Sequence, residues 1–300
     1  MPDRVNLQTV INSTILNIQL STFRMQRLQE QIASGKKINR PSDDPSGTRK
    51  VLSLRSEGLR LEQYSKNIQT SIRSIEFSTS TLHDTTTFIQ RVQELTIQGV
   101  NGATDQAGRD AVASEINGIL EAILQIANSS RMGLYIFAGT ETTTMPFEAT
   151  RNTEGDITAI TYKGNREKIK YPVGPGSSTQ VNQPGAEVFI DSKIFTTLMA
   201  IRDNLAGGAL EFARAELDNI KNAHTDILQF VSKGGAIVSA LEFSDNRMKD
   251  AKVSLEGTLG EVEGADLAEL ILKLKEQENI LQAVLASGVF MLNTSILDFM

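Results

Sequence analysis

The sequence predicts a mainly α protein: a long coiled-coil-like helical rod formed by its N- and C-terminal flanks, with a small β-rich domain inserted in the middle. Three observations predict it. Apolar residues recur every seven positions along both flanks, which is the pattern of coiled-coil packing. Proline, which breaks helices, is absent from most of each flank. Between the flanks, apolar and polar residues alternate, as they do in strands.

The N-terminal flank is predicted to form two long helices separated by a turn at Gly99–Gly102. Its first stripe holds a strict seven-residue interval, and its second alternates steps of four and three. A third stripe starts at Leu210 and resumes after Gly234-Gly235, where glycine indicates a bend or a close approach. The stripes are Leu54, Leu61, Ile68, Ile75, Leu82 and Ile89; Val112, Ile116, Ile119, Ile123 and Ile126; and Leu210, Ala213, Leu217, Ile220, the polar His224, Ile227, Val231, Val238, Leu241, Met248 and Leu255.

The two ends of the chain are predicted to be amphipathic arms that assemble with each other or with other copies. Residues 1–40 hold six basic and two acidic groups, a sum of +4, whereas residues 255–300 hold two basic and eight acidic groups, a sum of −6. Opposite charge and matching apolar stripes favour pairing. The predicted assembly residues are Ile11, Ile18, Met25, Leu28 and Ile32 in the N-terminal arm, and Leu267, Leu270, Leu274, Leu281, Val284, Leu285, Met291, Leu292, Ile296 and Phe299 in the C-terminal arm.

The middle of the chain is predicted to carry short strands. Residues 157–162 alternate in polarity, Gly164-Asn165 indicates a hairpin turn, and residues 168–171 would be its second strand. Residues 174–178 read as a loop, and Glu187–Ile190 as a further strand.

Composition excludes several classes of function. There is no cysteine, so disulfide, thiolate–metal and cysteine-nucleophile chemistry are absent, and two histidines leave little imidazole chemistry. The net charge of −6 argues against nucleic-acid binding. No apolar run approaches the ~18 residues of a membrane span, and the N-terminus does not read as a cleavable signal peptide. We find no catalytic constellation, cofactor fingerprint or metal-ligand spacing, so neither an enzyme nor a cofactor is expected.

A polar turn separates the N-terminal arm from the long helix. Ser42, Asp43 and Asp44 are each candidates for the N-cap, and Pro45 suits the first helical turn. Two adjacent carboxylates supply too few ligands for calcium. We therefore expect a hinge and helix cap here.

Motifs at both ends resemble the bacterial flagellin family. The N-terminal motif runs from Arg27-Leu28 through Ala33-Ser34-Gly35-Lys36-Lys37-Ile38-Asn39 to Ser42-Asp43-Asp44-Pro45-Ser46-Gly47 and is similar to the family's RLSSGxRIN signature with its DDP-like turn. The C-terminal motif includes residues 265–269, 281–286 and 295–300. The resemblance covers the flanks well and the middle loosely.

Within the family, the sequence looks most like the members that join the hook to the filament. Residues 133–140, GLYIFAGT, resemble the (R/L)YIFAGT tract of those members, and the ending Leu297-Asp298-Phe299-Met300 resembles their LDFL. The segment Pro41–Pro45 suits them better than flagellin's AADDAAG, although Gly47 is flagellin-like. A filament flagellin is the alternative, and a cytoplasmic helical signalling rod is a more distant one.

The resemblance implies an organisation in five segments. Residues 1–45 would be an arm that is disordered in the monomer and helical in the assembly, 46–140 and 201–255 the halves of the rod, 141–200 the β-rich outer insertion, and 256–300 the C-terminal arm that pairs with the first. The implied partners are other copies in a ring, the first hook-associated protein, flagellin and a cytoplasmic export chaperone. The implied location is the extracellular flagellum, reached through the flagellar type III apparatus.

Overall fold

The computed structural model describes the backbone of residues 2–297 and the side chains of residues 8, 9 and 11–289. The chain divides into two compact units. The terminal unit comprises residues 1–60 and 251–300, and the central unit comprises residues 61–250.

Helices dominate both units, and the strands form three separate antiparallel pairs, β1–β2, β3–β4 and β5–β6. The predicted mainly α fold with a small β region is confirmed. The helices are α1 (Pro2–Ser34), α2 (Pro45–Gly99), α3 (Gln106–Ala127), α4 (Ile194–Ala206), α5 (Leu210–Glu263) and α6 (Leu267–Leu297), and the strands are β1 (Ser130–Arg131), β2 (Leu134–Tyr135), β3 (Phe147–Arg151), β4 (Ile157–Tyr162), β5 (Lys170–Gly174) and β6 (Ser177–Gln180).

The seven-residue stripe of α2 forms the core of the central unit. Ile68, Ile75, Leu82 and Ile89 are buried there, as are four of the five predicted stripe residues of α3. Helix α5 runs through Gly234-Gly235 without a break. A side chain at Gly234 would overlap the Thr79 methyl group, so this glycine permits a close approach of α5 to α2.

The predicted hairpin at Gly164-Asn165 is wrong. Strand β4 forms where predicted, but its partner is the preceding β3. Strand β5 pairs with β6 across a two-residue turn at Pro175-Gly176, so the ends of the loop predicted at residues 174–178 belong to strands. Asn165 instead braces the tract at 133–140: its side-chain oxygen accepts from the Thr140 N–H at 3.0 Å and its amide donates to the Thr140 hydroxyl at 2.7 Å. Gly139 is required beside it, with φ +73° and no room for a side chain.

Residues 187–190 do not form the predicted strand. Ala186–Ile190 is one turn of π-helix, followed by α4 at residues 194–206, which overlaps the predicted β-rich insertion at 141–200. Val188 and Phe189 are fully buried. A short apolar run is compatible with either a strand or a buried helical turn. In this structure the packing of the run favours the helical turn.

Aromatic side chains, scarce in the composition, are concentrated at this point of the core. The Phe189 ring lies 5.1 Å from that of Phe137, 5.6 Å from Phe147 and 5.7 Å from Phe195. Phe147 also contacts Tyr162, at 5.0 Å. The cluster joins the 133–140 tract, β3, β4, the π-turn and α4 in one apolar contact, which fixes the irregular region on the helices.

Candidate assembly site

The terminal helices α1 and α6 pack against each other in antiparallel orientation. At one end the Ala265 N–H donates to the Gly35 carbonyl at 3.0 Å, and the Lys37 N–H donates to the Glu263 carbonyl at 2.8 Å. Further along, the Thr14 methyl group lies 3.2 Å from the position a side chain would take at Gly288. The two predicted arms are therefore paired within one chain.

The predicted N-terminal arm residues all lie on the face of α1 that includes buried Ser21. None of them is fully buried. The half-buried set is Ile11, Ile18, Met25, Leu28 and Ile32.

The predicted C-terminal arm residues divide into three groups. Leu270 is buried, and Leu274, Leu281 and Val284 are half-buried, whereas Leu267 and Leu285 are exposed. The side chains of Met291, Leu292 and Ile296, and the whole of Phe299, lie outside the described residues. Gln277, a polar residue that the apolar pattern does not indicate, is only 8% exposed and lies midway between Leu270 and Val284 in the same heptad position.

A second apolar face of α1 is left uncovered in the single chain. Leu16, Leu20 and Phe23 are 55%, 44% and 55% exposed. At 100° per residue, they are turned about 140–160° from Ile18 and so lie on the side opposite the face with Ser21. Helix α6 carries a comparable stripe, again about half exposed: Leu267, Ile271, Leu285 and Val289. Exposed apolar stripes of this kind are typical of protein–protein contact surfaces.

A buried carboxylate connects the end of α5 to the segment after α1 and to the start of α2. The apolar pattern of the sequence does not indicate it. Glu263, at the end of α5, is 8% exposed, and its two carboxylate oxygens contact Lys36 Nζ and Arg55 Nη2, each at 2.7 Å. Burial alone would raise the pKa of Glu263. The two hydrogen bonds and the two positive charges outweigh it, so this pKa is lowered. The ionised carboxylate thus connects the segment after α1, the start of α2 and the end of α5.

The predicted hinge residues have separate roles in the structure. Asp44 Oδ1 accepts from the Ser46 N–H at 3.0 Å, which makes Asp44 the N-cap, and Pro45 begins α2. Asp43 Oδ2 accepts from the Asn39 and Arg40 N–H groups at 3.0 and 2.9 Å, and Oδ1 pairs with Arg27 of α1 at 2.8 Å. Burial acts to raise the pKa of Asp43, but these hydrogen bonds and charges lower it overall. Ser42 is an exposed residue of the turn.

Replacing Glu263 by glutamine is expected to loosen this junction by about 1–2 kcal/mol, because the amide has no negative charge and its NH2 group would face one of the two cations instead of accepting from it. The loosening is measured as faster amide hydrogen exchange at Ala265, whose N–H donates to the Gly35 carbonyl. Glu261→Gln, a change at a nearby exposed carboxylate, is the control and should leave that exchange unchanged. Equal exchange rates at Ala265 in Glu263→Gln and Glu261→Gln would contradict the role of Glu263 in holding this junction together.

Acid should open the same junction in the unaltered chain. Since the folded-state pKa of Glu263 lies below its usual value of 4.5, its stabilisation is fully present above that pH. It is lost as the pH falls through the lowered folded-state pKa. The protection of the Ala265 N–H, which is its exchange rate relative to the intrinsic rate at the same pH, should therefore fall below pH 4.5 in the unaltered chain, and this fall should be weaker in Glu263→Gln.

The described residues contain no group of three or more histidine or acidic side chains placed to hold a metal ion. No helix in the described part of the chain has both the length and the apolar character to cross a membrane. What the terminal unit offers chemically is apolar surface and ion pairs.

Comparison with known proteins finds flagellar proteins that are similar to this chain. A family model, the bacterial flagellin N-terminal helical region, matches residues 5–142. Flagellar hook-associated protein 3 of Escherichia coli is 25% identical over 93% of this chain and 94% of its own length. Residues 5–142 thus match the N-terminal helical region of bacterial flagellins, and nearly the whole chain is similar to flagellar hook-associated protein 3.

Two further flagellar proteins are similar to this chain over most of its length. The crystal structure of flagellar hook-associated protein 3 from Legionella pneumophila shares the fold, with a TM-score of 0.63, 16% identity, and coverage of 71% of this chain and 98% of that one. Flagellin of Bacillus subtilis is 22% identical over 93% of both chains. The likeness to hook-associated protein 3 therefore extends along nearly the whole chain, and a flagellin aligns over the same length.

Proposed function

We propose that this chain is a structural subunit of the bacterial flagellum that joins the hook to the filament as an adaptor ring. The observation that carries its assembly role is the uncovered apolar face of α1, Leu16, Leu20 and Phe23, opposite the face that includes Ser21. A subunit in a repeated array needs such a second face, because each copy must contact its partner helix and a neighbour at once. The position at the hook end rests on the full-length likeness to hook-associated protein 3.

The arms are proposed to gain their order on assembly. All five predicted residues of the N-terminal arm remain only half-buried when α1 pairs with α6. An amphipathic helix that buries little apolar surface is marginal in water, so neighbours would supply the missing burial. A free chain would then need protection of its C-terminal arm, which supports an export chaperone as a partner and the type III apparatus as the route to the cell exterior.

In the assembly, this subunit would contact the first hook-associated protein on one side and flagellin on the other. The role is structural, with no catalytic step. A filament flagellin is the second candidate, favoured by the alignment with Bacillus subtilis flagellin.

Removing the chain from its cells distinguishes the two candidates. Without a junction subunit, cells should carry hooks without filaments and release flagellin into the medium, both measured by electron microscopy and immunoblotting. The full chain should restore filaments, and a chain lacking residues 256–300 should not. Loss of flagellin itself from both cells and medium would instead make this chain the filament subunit.

A further inference from the structure

The sequence holds the pair asparagine–glycine twice, at Asn101-Gly102 and at Asn117-Gly118. In such a pair the side-chain amide of asparagine can react with the backbone nitrogen of the glycine, because glycine has no side chain to crowd that nitrogen. The reaction also needs a backbone that brings the two groups together and leaves the nitrogen free. Since the two pairs have the same covalent chemistry, their surroundings in the fold decide which of them reacts.

The first pair lies in the exposed turn between α2 and α3, outside both helices. In the part of the chain that the structure describes, the Gly102 N–H has no hydrogen-bond acceptor. The Asn101 Oδ1 atom accepts from the Ala103 N–H at 3.2 Å. This bond turns the amide towards the backbone that follows, where the Gly102 nitrogen lies. The attacking and the attacked groups are therefore close, exposed and free to react.

The second pair is held inside α3. The Gly118 N–H is part of the helical backbone and donates to the carbonyl four residues earlier. The Asn117 Oδ1 atom accepts from the Nη1 atom of the buried Arg202 at 2.7 Å. Ile116 and Ile119, on either side of the pair, belong to the core. Reaction at Asn117 would therefore require this part of α3 to open.

We propose that Asn101 is a site of spontaneous deamidation in the folded chain and that Asn117 is not. The Gly102 nitrogen attacks the Asn101 Cγ atom and loses its proton to water, and ammonia leaves, which closes a five-membered succinimide ring. One water molecule then opens the ring at either of its two C–N bonds. Cleavage of the bond to the side-chain carbonyl leaves aspartate. Cleavage of the bond to the main-chain carbonyl leaves isoaspartate, whose backbone runs through the former side chain.

Both products change the turn between α2 and α3. Each adds a carboxylate, and isoaspartate also adds one atom to the length of the backbone. The Asn101 carbonyl accepts from the Thr104 N–H at 3.0 Å, and the Thr104 hydroxyl donates to the Gln98 carbonyl at 2.8 Å, so the turn folds back onto the end of α2. A longer backbone at Asn101 displaces the carbonyl of the first bond. The turn therefore loosens as the chain ages, whichever partners the chain has.

Mass spectrometry of tryptic peptides from the full chain tests the proposal, since an amide converted to a carboxyl gains mass. Cleavage after Arg91, Arg109 and Arg131 places the two asparagines on separate peptides, and fragment ions locate the change. After incubation of the folded protein at mildly alkaline pH, conversion should be at least about tenfold faster at Asn101 than at Asn117, because Asn117 reacts only when α3 opens. In concentrated urea the two rates should agree within about twofold, because the fold no longer separates them.

Replacement of each glycine provides a matched pair of variants. A side chain at Gly102 would meet no atom within 4 Å, so the fold accepts alanine there. Gly102→Ala should slow conversion of Asn101 about tenfold, because a methyl group crowds the attacking nitrogen. Gly118→Ala, whose position is equally open, should leave conversion of Asn101 unchanged. Digestion in heavy-oxygen water marks any conversion that occurs during handling.

Three results would overturn this assignment. The first is equal conversion of Asn101 and Asn117 in the folded chain. The second is a preference for Asn101 that persists undiminished in urea, because the local sequence and not the turn would then cause it. The third is conversion of Asn101 in Gly102→Ala at the rate of the unaltered chain. None of them bears on the proposed function, which does not depend on this turn.

Discussion

Replacing Leu20 by aspartate is expected to exclude the chain from flagella while leaving its own folding nearly unchanged. Leu20 is 44% exposed on the face of α1 opposite the one with Ser21, so the single chain loses little when it becomes polar. In an assembly the same position would be buried, and an unpaired carboxylate buried there costs several kcal/mol per contact. Repetition of that loss at every copy should stop incorporation. Immunoblots of isolated flagella measure it.

Leu228→Asp is the control for that substitution. Leu228, on α5 of the central unit, is 42% exposed. Both substitutions therefore replace a leucine of similar exposure by aspartate. The control should be incorporated normally. If Leu20→Asp were incorporated as well as the control, the uncovered face of α1 would not be an assembly surface.

Replacing Phe189 by alanine is expected to destabilise the central unit by about 3–5 kcal/mol, the largest effect on stability that we predict. Phe189 is fully buried and contacts three other phenylalanine rings, so its removal leaves a cavity at the point where the irregular region joins the helices. Denaturant unfolding followed by circular dichroism measures it.

Phe243→Ala provides the comparison for Phe189→Ala. Phe243 is 65% exposed, and its replacement should change the free energy of unfolding by less than about 0.5 kcal/mol. A loss below about 1 kcal/mol for Phe189→Ala would mean that the aromatic cluster does not hold the irregular region in place.

The long helices were predictable from the sequence, whereas the short helix α4 and the strand pairing were not. The stripe from Ile68 to Ile89 repeats over many turns, so its signal accumulates with length. Strand β4 was found by its alternation, but a strand of six residues carries no information about which neighbour it pairs with. Residues 187–190 show the limit most clearly: the same apolar run suits a strand or a buried turn, and contact with Phe137 and Phe147 decided between them.

The candidate site was predictable only where its signal is local, as in the apolar spacing of the arms and in the polar turn before Pro45. Heptad spacing identified Ile18 and Leu270 because each signal is local. The ion pair of Arg55 with Glu263 joins residues 208 positions apart, and nothing near either one indicates its partner. The same holds for Asp245, which is 2% exposed and accepts hydrogen bonds from Ser65 and Gln69. Polar contacts between residues far apart in the sequence can be predicted only when the fold that brings those residues together is already known.

Immunogold labelling of isolated flagella with an antibody to residues 141–200 tests the central claim most directly. This segment lies within the central unit, so the label would not depend on access to the terminal helices. A junction subunit predicts label in one narrow band where the hook meets the filament. Label along the whole filament would contradict the junction role and make the chain a flagellin, and flagella without any label would contradict the flagellar role itself.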